Sequence, residues 1–127
     1  MKKLFALLLF PIAAFAFYPG GEPDFFIWTP PTQRVDGAAL DPATEIDAYI
    51  LRCTKDGVPS FDATIGVGAQ SRWNVTQGTF SAGTWVCALY ARDLEARTSD
   101  PSGAVEFQIT TYTFKVAPKA PTGLGVG

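Results

Sequence analysis

Across residues 84–91 the side chains alternate without interruption. Trp85, Cys87, Leu89 and Ala91 fall on one side, and Val86, Ala88 and Tyr90 on the other. A period of two is the mark of an extended strand, because a helix would spread the same residues around its circumference. The Trp, Cys and Leu on one side require that face to lie against a core. The pattern recurs twice. Tyr49, Leu51 and Cys53 point one way while Ile50 and Arg52 point the other, and Val105, Phe107 and Ile109 share a face further on. Weaker extended stretches lie at residues 25–29, 61–67 and 72–76. Turn chemistry separates them: Pro30-Pro31, Asp36-Gly37, Asp41-Pro42, Lys55-Asp56-Gly57, and the loop Thr98-Ser99-Asp100-Pro101-Ser102-Gly103. No stretch after residue 17 carries a helical period. Short strands divided by turns predict an antiparallel sandwich rather than a parallel sheet with crossover helices.

A length of 127 residues suits one domain, and 47% hydrophobic with 17% charged residues is the composition of a folded chain. The start reads differently from the rest. Met1-Lys2-Lys3 is positive, residues 4–15 are almost wholly apolar, and Ala14-Phe15-Ala16 has the small-x-small spacing of a signal peptidase site. The apolar run falls short of the roughly 20 residues a membrane-spanning helix needs, and Pro11 interrupts it. The sequence therefore divides into a signal peptide at 1–16, a domain at 17–111 whose first strand lies within 17–24, and a tail at 112–127. Loss of Lys2 and Lys3 takes the net charge from −2 to −4. An acidic domain without a basic stripe is not built for nucleic acid, and no stable membrane anchor is expected after cleavage. The expected location is secreted, periplasmic, or on a cell or virion surface.

Four motifs, in order, resemble the fibronectin type III family, an immunoglobulin-like fold. Trp28-Thr29-Pro30-Pro31-Thr32 with Arg34-Val35-Asp36-Gly37 and Leu40 looks like the second strand and following loop of bacterial members. Ile46-Asp47-Ala48-Tyr49-Ile50-Leu51 is similar to the third strand, with Ala48 where Gly is common. Residues 83–93 resemble the G-T-x-Y-x-F-x-V-x-A-x-D strand, with Trp85 in place of the usual Tyr, and Ser99-Asp100-Pro101-Ser102 matches the serine-proline loop before the last strand. The resemblance spans about residues 24–111. It implies an all-β, seven-stranded antiparallel sandwich of two sheets, with Trp28, Tyr49, Leu51, Trp85 and Leu89 in the core. It also implies a spacer, adhesion or recognition role, and would place Cys53 and Cys87 in one core on neighbouring strands. A diagonal register would leave the two sulfurs marginally placed. A disulfide and two buried thiols both remain open, with the exported setting favouring the bond.

The sequence contains no His. That removes His-dependent nucleophilic arrangements and most zinc sites, and two Cys cannot build a four-thiolate centre. No cofactor, metal or catalytic residue is expected, and the chain reads as a non-enzyme. Asp41, Glu45 and Asp47 form an acidic cluster without a calcium-loop spacing. Asn74-Val75-Thr76 fits a glycosylation pattern that short motifs often produce by chance. The leading expectation is an exported binding or structural module contacting a protein. A second is carbohydrate binding to a surface glycan, with Trp73, Phe80 and Tyr90 stacking on sugar rings. A third is self-assembly through the tail, where Tyr112, Phe114 and Val116 continue the two-residue alternation and would pair with a sheet edge. Ala117-Pro118-Lys119-Ala120-Pro121-Thr122-Gly123-Leu124 then resembles an interdomain linker and the opening of another fibronectin-type domain.

Overall fold

The fold was obtained as a computed structural model, which describes residues 12–15, 21–110 and 119–126. Among the described residues, seven strands form two antiparallel sheets. β1 (Ile12–Phe15), β2 (Phe25–Trp28) and β5 (Arg72–Asn74) make the smaller sheet, in the order β1-β2-β5. β4 (Val58–Gly66), β3 (Ile46–Lys55), β6 (Gly83–Asp93) and β7 (Val105–Ile109) make the larger, in the order β4-β3-β6-β7. The protein is thus an all-β antiparallel sandwich, as the alternation predicts. One helical turn, α1 (Pro42–Glu45), departs from the expectation of no helix. Its cause is local. The Asp41 side chain accepts from the Ala43 amide at 3.1 Å, Glu45 reaches back to the Asp41 amide at 2.7 Å, and Pro42 suits the first helical position.

The strand β1 (Ile12–Phe15) that pairs with β2 lies inside the expected leader, and part of the expected first strand at residues 17–24 falls outside the described residues. Gly21 to Asp24 are irregular.

The inward faces meet in one core. β2 supplies Phe26 and Trp28, β3 supplies Tyr49, Leu51 and Cys53, and β6 supplies Trp85, Cys87, Leu89 and Ala91, all buried. Trp28 and Trp85 are 4% and 3% exposed, so both rings sit between the sheets as the family resemblance implies. The Tyr49 hydroxyl donates to the Gly68 carbonyl at 2.8 Å, and burial pushes the phenol up to about 12, so it remains a donor through the neutral range. The Trp28 indole nitrogen lies near enough to temper that rise, yet makes no hydrogen bond of standard geometry.

Side chains complete what the strands leave unpaired. Asp56 and Gly57 take positive φ values of 51° and 83°, the two-residue turn that matches strand twist and joins β3 to β4 in a tight hairpin. Beyond the end of the regular pairing with β7, the amides of Leu89 and Ala91 donate to the hydroxyls of Ser102 and Ser99, at 2.9 and 3.0 Å. The serine-proline loop thereby continues the sheet edge with side-chain acceptors.

The two ends of the sandwich are fastened differently. At one, Glu22 accepts from the amides of Gly78 and Phe80 at 2.9 and 2.7 Å, tying the start of β2 to the approach to β6. At the other, Arg34 bridges Glu45 at 2.9 Å and Asp93 at 3.3 Å, while Arg97 reaches Asp93 at 3.0 Å. Asp93 is 2% exposed. Burial pushes its carboxyl up, but the amides of Arg97 and Glu95 and the Arg97 guanidinium outweigh this and hold it below the usual range. Glu45 is lowered too, first by the Asp41 amide and then by Arg34. A carboxylate depressed on folding contributes stability above its unfolded pKa and loses it as pH falls through the folded value. Stability should therefore be level above about pH 5 and decline below about pH 4. Asp93→Asn should cost about 2 kcal/mol at neutral pH and flatten the acid decline, as read by urea denaturation at a series of pH values.

Candidate functional site

The outward face of the larger sheet carries an open groove of about 580 Å³. Its position follows from register. Arg52 on β3 lies opposite Asp62 on β4 and Ala88 on β6, while Thr54 lies opposite Pro59 and Val86. The pairing of β3 with β4 shifts between Cys53 and Thr54, leaving Ser60 as the extra residue of a bulge that deepens the face there. Arg52 is held on two sides. Its Nε donates to Asp62 at 3.1 Å, and its guanidinium sits 4.7 Å over the Tyr90 ring. Val86, Ala88 and Tyr90 form the half-buried floor, and Arg52 and Asp62 form an exposed, charged rim.

The Ser60 hydroxyl donates to the Val58 carbonyl at 2.8 Å. No group of three or more His, Cys, Asp or Glu capable of holding a metal occurs among the described residues. The acidic cluster before β3 is dispersed into separate duties. Asp41 caps α1, Glu45 pairs with Arg34, and Asp47 pairs with Arg92 at 2.9 Å.

Of the three aromatic residues expected to contact a ligand, only Tyr90 lies in the groove. Phe80 is a core residue, 3% exposed, and this corrects its assignment as a sugar platform. Glu22 fixes the backbone of its loop, and its ring fills the space between Phe26, Phe61, Trp85 and Phe107 at centroid distances of 4.9–5.9 Å. Trp73 is half-buried in the other sheet, where it stacks on Phe26 at 6.0 Å. The three rings do not share a face. Asn74 is exposed at the edge strand β5, and its side-chain oxygen accepts from Arg72 at 2.9 Å. Tyr112, Phe114 and Val116, the expected edge-pairing residues, lie outside the described residues.

Cys53 and Cys87 form a disulfide, with Cα atoms 4.0 Å apart. They are directly opposite rather than diagonal, because the β3–β6 register runs unbroken from Ala48 to Lys55. Both are buried beneath the groove floor. A persistent disulfide is consistent with an oxidising compartment, and among the described residues no helix is long and apolar enough to cross a membrane.

Fold and groove together define a disulfide-stapled β-sandwich with an open groove on the outward face of its larger sheet. No family model, curated protein or solved structure matches the chain.

Proposed function

We propose that this chain is an exported, non-catalytic module of the fibronectin type III kind, which meets a partner protein through the outward face of its larger sheet. Four sequence motifs, the division of strands into three and four, and the buried pair Trp28 and Trp85 support the family reading. The observation that carries the contact reading is the preset Arg52, braced between Asp62 and Tyr90 over an apolar floor. Arg and Tyr are enriched where proteins bind one another, and a side chain already held in place loses less entropy on binding. A protein partner fits better than a glycan. The guanidinium already covers one face of the Tyr90 ring, the platform a sugar would need, and Phe80 is enclosed.

The test places a photo-crosslinking amino acid at Val86, in the groove, or at Val67, which is exposed away from it. Irradiating the exported protein in the cells that produce it should give a discrete cross-linked protein at Val86 and none at Val67. Arg52→Glu in the same background should reduce that product at least tenfold. Equal yields at the two positions, or indifference to Arg52→Glu, would refute the assignment.

A further inference from the structure

Hydrogen-bond donors and acceptors in the groove are out of balance. A guanidinium carries five N–H donors. In Arg52 only the Nε–H is engaged, by one oxygen of Asp62 at 3.1 Å. Its Nη1 and Nη2 groups make no hydrogen bond among the described residues, although the side chain lines the groove and is 48% exposed. The hydroxyls of Thr54 and Tyr90, on the same lining, are also unengaged among those residues. Asp62 is the one acidic side chain on the lining, and one of its oxygens already belongs to Arg52. The groove therefore presents more donors than acceptors, and its complement is rich in acceptors.

Two contacts restrain the unused donors. The Tyr90 ring covers one face of the guanidinium, and the bond to Asp62 limits rotation within its plane. What remains is the outer edge, where Nη1 and Nη2 lie side by side at the spacing of the two oxygens of a carboxylate. Register places an aliphatic surface next to that edge. Arg52 lies opposite Ala88 and Thr54 opposite Val86, both half-buried. Asp62 stays close enough to repel a dianion such as a phosphate more strongly than a single carboxylate. A lone cation already sharing a carboxylate is also a poor match for the repeated phosphates of a nucleic acid.

The geometry points to an acidic peptide segment as the occupant. Resting on the contact reading above, the groove takes a stretch of the partner protein in which Asp or Glu adjoins an aliphatic residue. The carboxylate bridges Nη1 and Nη2 of Arg52, and the aliphatic side chain lies on Val86 and Ala88. Arg52 is then the specificity-determining residue, while Asp62 and Tyr90 position it. The chain's own net charge of −2 gives an acidic partner no long-range attraction. Selectivity comes instead from this short-range pairing, over an apolar floor that excludes water from one side of it.

The experiment pans short random peptides displayed on phage against the oxidised, exported protein. Enriched peptides should share an Asp or Glu next to a Leu, Ile or Val. The best of them is then synthesised and titrated calorimetrically. Changing its acid to the matching amide should weaken binding about tenfold, and Arg52→Gln in the protein should do the same. The two changes together should cost little more than either alone, which a merely structural role for Arg52 would not produce. Peptides without a shared acid, an empty selection, or losses that simply multiply in the double change each overturn the carboxylate assignment. The cross-link at Val86 stands apart from all three, so the contact reading survives them. A missing cross-link at Val86 overturns the contact reading and this inference with it.

Discussion

Replacing Phe80 with alanine is expected to lower the unfolding free energy by about 3–5 kcal/mol, a large fraction of the stability of a domain this size. The residue lies in the connection between β5 and β6, where a loop side chain usually contributes little. Its surroundings decide otherwise. The ring meets Trp85 edge-on at 4.9 Å and Phe107 edge-on at 5.3 Å, on the side of the larger sheet. It meets Phe26 at 5.9 Å on the smaller. It is the plug between two sheets, and its removal leaves a cavity that the flanking strands, fixed by their ladders, can only partly close. Chemical denaturation of Phe80→Ala, followed by tryptophan fluorescence, would measure the loss directly. Phe80→Leu, which keeps much of the volume, should recover more than half of it. A change under about 1 kcal/mol for Phe80→Ala would mean that the ring is not enclosed, and would restore it as a candidate ligand contact.

Phe80 also shows where the sequence stops being informative. Strand residues declare their facing through alternation, so Tyr49, Leu51, Trp85 and Leu89 could be placed inside from the period alone. Phe80 has no such neighbours. It stands among Gln77, Gly78, Thr79 and Ser81, and only the carboxylate of Glu22, distant in the chain, turns it inward. The ends of the sandwich were hidden for the same reason. The joint grip of Arg34 and Arg97 on Asp93 joins residues 59 and 4 positions apart, and neither spacing belongs to a local pattern. Conversely, Ser99 and Ser102 stood out in the sequence as part of a serine-proline loop, and in the structure their hydroxyls accept from two strand amides. The groove was half-visible. Arg52 and Tyr90 read as outward residues from their period, but the bulge at Ser60 and the approach of Asp62 depend on a register that only the folded hairpin sets. A bond between Cys53 and Cys87 stood in the sequence only as one of two alternatives, and its directness was not legible, since a shift of one pair along β3 changes opposite into diagonal.

That directness bears on the second large effect. Removing the cross-link, by reduction or by Cys53→Ala with Cys87→Ala, is expected to cost about 4 kcal/mol and to lower the melting temperature by on the order of 20 °C. The bridge spans 34 positions, and the chain between them includes β4, β5 and the Phe80 loop. Cutting it frees the unfolded chain to explore conformations that the closed loop denies, and this entropic gain grows with loop length. The two routes separate the cross-link from the packing of its sulfur atoms. Reduction leaves both sulfurs in the core, whereas the double alanine variant removes them and adds a cavity cost of about 1 kcal/mol. Reduced wild-type protein should therefore lie much closer to the double variant than to the oxidised protein. The buried position also predicts that a small thiol reductant will act slowly under native conditions and rapidly near the denaturation midpoint, because both sulfurs become accessible only when β3 and β6 part. If reduction changed stability by less than about 1 kcal/mol, the Leu51 and Leu89 pair beside the bridge would already fix these strands. The cysteines would then serve as small apolar core residues whose bond adds little.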